Sequence, residues 1–340
     1  MKLPAINLKD SLITSTKKQS CKFQIKKTGG YKFSYFFNPQ PKKVFGGYPP
    51  DEKINNYNNK FFDLLPEHLN SGKSIAVITG ATSGIGKEFA SKFARLGYNL
   101  IITGRRKAVI SRVANRLKDL YHIEVEVSII DFSIKKDLNK FLKILETKRN
   151  IEVLVNNAGY GLSERFSEDD VNHQLKMLNV HIVAPLKIIH KVLPHMIELN
   201  KGIIINVTSL AAYTPTPDNA MYTSTKSFLT NFTESLSMQL NNTDIKVQCL
   251  CPGYTNTDFH NKPELTQKSV HLGIKNWMNP SEVVDYSLDC LEKDKVICIP
   301  GISNKLFLYI ISVVPRRIYY FISGLFNNST EESQGKRLYA

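Results

Sequence analysis

Between Ser74 and about residue 300 the chain alternates short apolar runs with segments of helical spacing. The runs SIAVIT, YNLIIT, IEVEVSII, IEVLV, GIIINVT, IKVQCLC and KVICI are almost continuously apolar, as strands buried on both faces are. Helical segments between such strands predict right-handed crossovers within a parallel sheet. The expected fold is therefore α/β, a doubly wound parallel sheet of about seven strands, forming a single main domain over residues 71–300. No repeat at a fixed period is visible.

The flanks read differently. Residues 1–70 are rich in Lys, Asn, Gly and Pro, with the aromatic islands YKFSYFFNP and KVFGGYPPDEK and no sustained period, and are expected to form an N-terminal extension. They hold no uninterrupted apolar stretch, so a secretory signal is not expected. A transit peptide stays open because residues 1–50 carry one acid, Asp10, although they contain no Arg. Residues 301–340 form an apolar, then polar tail. Its run Leu306–Val314 ends at Pro315-Arg316-Arg317, whereas a membrane span takes roughly 20 apolar residues. Two readings stand: helices docked on the core or a neighbouring subunit, or an interfacial membrane anchor with its arginines at the headgroups.

Charge sharpens that division. The 340 residues have a net charge of +15, and the excess sits at the ends. Basic residues outnumber acidic ones 12 to 5 in residues 1–70 and 5 to 2 in 301–340, against 28 to 23 in 71–300. No zinc-finger, RNP or basic-helix pattern accompanies them, so no nucleic-acid partner is expected. The five cysteines, Cys21, Cys249, Cys251, Cys290 and Cys298, are odd in number and lack metal-ligand spacing. A reducing, cytoplasmic setting with no metal follows as the expectation, with membrane association left to the tail.

Chemistry concentrates first in TGATSGIGK, Thr79–Lys87. Gly80, Gly84 and Gly86 follow an expected strand and open an expected helix. There, glycines allow a tight turn, close backbone approach to a pyrophosphate, and packing of helix on sheet, with the anion at the helix N-terminus. The fold is thus Rossmann-type. Gly72-Lys73-Ser74 imitates the end of a Walker loop, but Glu67 stands where that loop needs glycine. After the next strand, Gly104-Arg105-Arg106 offers no acid for a ribose 2′-hydroxyl. Arg105 instead suits a 2′-phosphate, so NADP(H) is favoured over NAD(H).

The remaining motifs complete a set. TGATSGIG, Asp131 after the third strand, NNAG at Asn156–Gly159, Asn179, Ser209 in INVTS, Tyr222-x-x-x-Lys226 and PGYTNT at Pro252–Thr257 resemble the short-chain dehydrogenase/reductase family over about residues 74–258. The Gly104-Arg105-Arg106 turn, CPGYTNTDF and the apolar tail are most similar to its reductases of acyl-chain, steroid and related lipophilic ketones. The resemblance implies a cofactor seat of Gly80, Thr82, Ser83, Gly84, Ile85, Gly86, Arg105, Arg106, Asp131, Asn157, Ala158, Gly159, Tyr222, Lys226, Pro252, Gly253, Thr255 and Thr257. It implies a catalytic set of Asn179, Ser209, Tyr222 and Lys226, with Asn179 holding a relay water, Asp131 at the adenine edge and Thr257 at the carboxamide. It also implies a homo-oligomer.

Physical chemistry supports three of those roles. Tyr222 and Lys226, four apart on an expected helix, share a face, so the ammonium is expected to lower the phenol's pKa and ready it for proton exchange near neutrality. Ser209 ends a strand, where its hydroxyl can stabilise a substrate oxygen. Residues 211–221 and 258–280 are expected to wall the substrate pocket, with Tyr213, Met221, Tyr254, Phe259 and Trp277 making it apolar. His173, His181, His190 and His195 lack metal spacing and read as surface or packing residues. The Asn206-Val207-Thr208 sequon falls in an expected buried strand, which argues against glycosylation.

The expected activity is NADP(H)-dependent interconversion of a ketone and a secondary alcohol on a small, apolar, acyl- or steroid-like molecule. The competing classes are a non-catalytic NADP(H)-binding scaffold and a membrane-surface interaction protein.

Overall fold

In a computed structural model, the described residues are 74–161, 166–258 and 277–323. The N-terminal extension, the wall residues 259–276 with Phe259, and the polar end of the tail lie outside them. Seven strands form one sheet: β1 Ile75–Ile78, β2 Asn99–Gly104, β3 Val125–Ile129, β4 Ile151–Asn156, β5 Gly202–Val207, β6 Ile245–Leu250 and β7 Ile297–Cys298. Their spatial order is β3-β2-β1-β4-β5-β6-β7, and every pairing is parallel. The expected seven-stranded, doubly wound sheet is what the chain forms.

The helices cover both faces. They are α1 Gly84–Arg95, α2 Lys107–Tyr121, α3 Lys135–Glu146, α4 Val171–Leu178, α5 Ala184–Glu198, α6 Ala220–Gln239, α7 Pro280–Glu292 and α8 Ile302–Val313, followed by α9 Arg316–Ser323. Alternation along β1 divides the core: Ala76 and Ile78 pack with Phe89, Ile110 and Val283 of α1, α2 and α7. Val77 packs with Phe141, Ile188 and Leu236 of α3, α5 and α6. Phe89 and Phe141 are both completely buried, each worth about 1.5–3 kcal/mol in apolar transfer.

Strand order reverses between β1 and β4. The chain leaves β1 toward β2 on one side and reaches β4 on the other, so the loops after β1 and β4 splay apart and leave a crevice at the carboxyl end of the sheet. The glycine loop and the NNAG segment are the two lips of that crevice.

Candidate active site

The glycine loop is shaped by its backbone. Gly80 and Gly84 have φ of +70° and +56°, a region that L side chains rarely adopt. A Cβ on Gly84 would also come within 2.6 Å of Thr257 Cγ2, so the loop lies directly against the segment after β6. Ser83 is the N-cap of α1, makes no side-chain cap bond, and no acid occupies the first turn. The helix therefore presents uncapped N–H groups at a positive dipole end, which suits a pyrophosphate.

Thr79 ties the two lips together. Its hydroxyl accepts hydrogen bonds from the N–H groups of Asn157 at 2.9 Å and Ala158 at 3.0 Å and lies 3.3 Å from the Val155 carbonyl, to which it donates. Asn157 Nδ2 donates to the Thr79 and Gly80 carbonyls at 3.0 and 3.1 Å. Beneath them, Asn156 Nδ2 donates to Asn206 Oδ1, and Asn206 Nδ2 donates to Thr233 Oγ1, both at 2.9 Å. The sequon asparagine is thus fully buried and engaged across the sheet with α6.

The two arginines after β2 diverge. Arg105 is 66% exposed in its side chain and lies 3.8 Å from Asp131. Burial raises the Asp131 pKa, but hydrogen bonds from Ser133 and the Arg105 charge outweigh it and hold the carboxyl below its usual range. Arg106 turns to the glycine loop, donating to Thr82 Oγ1 at 3.0 Å, Ser83 Oγ at 3.2 Å and Asp258 Oδ2 at 3.0 Å. The Arg106 bond is the main reason the Asp258 carboxyl also lies below its usual range. Asp258 lies 152 positions from Arg106, and neither residue's motif signals the pairing.

The other end of the crevice holds Ser209, Tyr222 and Lys226. Ser209 follows β5 as the N-cap of a short 3-10 turn, Leu210–Ala212, and its Oγ accepts from Ala211 N–H at 3.1 Å. It is hydrogen-bonded to Tyr222. Lys226, one turn further along α6, is buried and donates from Nζ to the Val207 carbonyl at 3.0 Å. That ammonium lies 5.7 Å from the centre of the Tyr222 ring.

The expected pKa relation is overturned. Burial, opposed by the Ser209 bond, pushes the Tyr222 phenol up to about 12, and burial brings Lys226 down to about 8. The four-residue spacing places the pair on one face, but losing water disfavours the charged form of each and is the largest effect on both. Tyr222 accordingly stands as a protonated phenol at neutral pH.

One neighbour, read in the sequence only as a surface or packing residue, is a packing residue in direct contact with Tyr222. His181 lies in a π-helical turn, Asn179–Val183, that interrupts the run from α4 into α5. It is 1% exposed and meets the Tyr222 ring edge-on, with centres 5.7 Å apart. Its Nε2 accepts the Tyr160 N–H at 3.1 Å, so Nδ1 carries the proton and donates to Thr225 Oγ1 at 3.0 Å. Thr225 in turn donates to the Tyr222 carbonyl at 2.8 Å. Burial, reinforced by the Lys226 charge, lowers the His181 pKa well below its ordinary value, so the ring is a neutral brace between the NNAG lip and α6. Asn179, in the same turn, donates to the Ser133 carbonyl at 3.5 Å.

Around this centre, a shallow recess beside Tyr222 is lined by Phe166, Gln174, Met177, Asn219, Ala220 and Met221. Tyr254 and Trp277 rings stand 5.5 Å apart. Thr255 is buried and donates to the Gly253 carbonyl at 3.1 Å. Pro252 accepts from the Leu210 N–H at 3.0 Å, which joins the segment after β6 to the turn that begins at Ser209.

Comparison with known proteins agrees with this architecture. A family model described as short chain dehydrogenase matches residues 74–268. The very-long-chain 3-oxoacyl-CoA reductase of Rattus norvegicus is 31% identical over 261 residues, covering 75% of this chain and 80% of that protein. The inactive hydroxysteroid dehydrogenase-like protein 1 of Homo sapiens is 31% identical over 211 residues, 62% of each chain. Among solved structures, a short-chain dehydrogenase from Sphingobium yanoikuyae in complex with NADPH aligns with a TM-score of 0.63 at 25% identity, over 71% of this chain and 96% of that one.

Proposed function

The chain belongs to the short chain dehydrogenase family of oxidoreductases, and we propose that it uses NADP(H) to interconvert a ketone and a secondary alcohol on a lipophilic, acyl- or steroid-like substrate. The observation that carries this reading is the hydrogen-bonded pair Ser209–Tyr222 beside the buried Lys226, at one end of a crevice whose other end offers uncapped helix N–H groups.

The residues fit a dinucleotide. The α1 N-terminus would hold its pyrophosphate, Asp131 its adenine edge, and Arg105 the 2′-phosphate that distinguishes NADP(H). Gly159, whose Cβ position would lie 3.7 Å from Lys226 Nζ, marks where the nucleotide seat meets the reaction centre. When bound, the nicotinamide supplies or accepts the hydride.

The protein's part is proton transfer and orientation. Tyr222, protonated at neutral pH, donates its phenolic proton to the carbonyl oxygen as the alcohol forms. Ser209 donates a hydrogen bond to the same oxygen and stabilises the charge that develops there. Lys226, held by the Val207 carbonyl, places a positive charge beside the phenolate that Tyr222 becomes. Asn179 is assigned to the water that returns a proton to Tyr222. The lipophilic substrate class is proposed from the likeness to the very-long-chain 3-oxoacyl-CoA reductase of Rattus norvegicus. The assembly is proposed to be a homo-oligomer in a reducing, cytoplasmic setting.

A second reading has one observation in its favour: a relative covering 62% of the chain is named inactive. In that reading the protein binds NADP(H) without turnover. The two are separated by titrating the purified chain with NADPH and NADH, then following NADPH oxidation with a panel of 3-oxoacyl, steroid and small aromatic ketones. Binding with oxidation by at least one ketone supports the enzyme. Binding with none across the panel supports the scaffold, and failure of both nucleotides to bind sinks both readings.

A further inference from the structure

The two helices after β7 do not follow the rule for a surface helix. A helix packed on a soluble core turns its apolar stripe inward and its polar residues to water. On α8 the less exposed positions, Asn304, Leu308 and Ile311, face the protein, yet the outward positions are apolar as well. Ile302 is 84% and Tyr309 67% exposed, with Leu306, Phe307, Ile310 and Val313 also exposed. On α9, Ile318, Tyr320, Phe321 and Ile322 continue that surface. Apolar residues exposed singly are ordinary, but a contiguous run over two helices marks a contact surface.

Charge says what the surface meets. Residues 302–323 contain Lys305, Arg316 and Arg317 and no Asp or Glu; Lys305 turns back over the Tyr286 ring of α7, which leaves the exposed Arg316 and Arg317 as the charges of this face. A second copy of this chain, docking through the same face about a twofold axis, would lay these cations against themselves. An anionic lipid surface complements them, with the aromatic residues at headgroup depth. No single helix among the described residues is long and apolar enough to cross a membrane, and α8 and α9 are bent by 117° to each other. Taken together the bent pair has the length and composition to lie on a bilayer or to enter it as a broken or re-entrant segment.

The same helices touch the candidate site. Tyr319, buried on α9, donates from its hydroxyl to the Pro215 carbonyl at 2.8 Å, within the loop that runs from Ser209 to Tyr222. Asn304 packs on Gly253 in the segment after β6 and donates to the Pro300 carbonyl at 2.7 Å. We infer that α8 and α9 dock the protein on anionic membrane through their outward apolar and basic face, and so hold the chain segments flanking Ser209 and Tyr222 at the lipid surface. The second half of that inference rests on the site proposed above; the docking does not.

Flotation of the full chain with vesicles tests it. Binding is expected to an equal mixture of phosphatidylcholine and phosphatidylserine and to be much weaker to phosphatidylcholine alone. At about one cationic contact's worth each, Arg316→Gln with Arg317→Gln lowers the partition onto the mixed vesicles by roughly 30-fold. Leu306→Ser with Phe307→Ser abolishes flotation while circular dichroism and the unfolding midpoint stay as in the parent, because both side chains are exposed. The inference is overturned if the parent does not float with the mixed vesicles, or if it floats equally well with both pairs of substitutions. It is also overturned if the serine variant halves the mass by light scattering while the parent binds no lipid, since the face is then a contact between copies. None of these readouts involves turnover, so a protein that floats but reduces no ketone defeats the enzymatic reading alone, and one that reduces ketones without floating defeats this one alone.

Discussion

At the reaction end of the crevice, Lys226 and His181 are buried and held by protein atoms, Lys226 by the Val207 carbonyl and His181 by Tyr160 and Thr225. At the nucleotide end, Arg105 and Arg106 are exposed, and their carboxylate partners lie 3.8 and 3.0 Å away. The first arrangement spends desolvation in advance, so the groups need little rearrangement when a substrate oxygen becomes charged. The second keeps its charges in water, where ion pairs contribute little to stability and exchange partners readily. Under the proposed function, chemistry would be built into the fold, whereas the choice of nucleotide would be written on its surface.

The strongest challenge to that contrast is Tyr222→Phe, which removes the proton donor and is expected to cut turnover roughly a thousandfold while leaving nucleotide affinity as it was. Steady-state kinetics alongside a binding titration will check both halves, and retained turnover would take Tyr222 out of its role. Arg105→Asp should do the reverse. Loss of charge-assisted bonds to a 2′-phosphate should weaken NADPH by about ten- to a hundredfold, while NADH binding holds or improves and the unfolding midpoint hardly moves.

His181→Ala deprives the Tyr160 N–H of its acceptor and should cost about 1–3 kcal/mol in denaturant unfolding. Because the brace also positions α6, kcat should fall more than KM rises. His181→Gln can accept from Tyr160 and donate to Thr225, so it should restore most of both; if it restores stability alone, the ring has no positioning role.

The pH response carries a definite sign. With Tyr222 raised to about 12, the phenol stays protonated through neutrality. Ketone reduction should be level there and decline only on the alkaline side, whereas alcohol oxidation, which needs the phenol deprotonated, should climb with pH. A reduction profile that rises with pH would contradict the assignment. The smallest effect belongs to Arg106→Ala, whose exposed bond to Asp258 should be worth less than about 1 kcal/mol in stability.

Much of this could be read from the chain because it is local. Each strand lies in a locally apolar-rich run, β3 (VEVSI) and β6 (IKVQCL) alternating with polar residues, and even β7, only Ile297–Cys298, lies within KVICI. The glycine loop, NNAG and Tyr222-x-x-x-Lys226 likewise depend on neighbours in sequence. What escaped depends on burial and on distant contacts. Spacing put Lys226 beside Tyr222 but could not weigh desolvation against charge. Among four histidines of similar appearance, only His181 is buried against Tyr222, and the π-helical turn shifts the phase on which a helical reading relies. The pairing of Arg106 with Asp258 bridges 152 positions and leaves no periodic trace.

The reversal of strand order between β1 and β4 has a consequence for the lifetime of the protein. The lips of the crevice grow from strands that are adjacent in the sheet, yet Thr79 and Asn157 are 78 residues apart along the chain. A nucleotide bound across them bridges segments that separate completely when the chain unfolds, so it draws the folding equilibrium toward the native state by mass action. At a hundred times its dissociation constant it adds about 2.7 kcal/mol. If the proposed nucleotide binds there, the folded fraction of this protein would rise and fall with the nucleotide's supply.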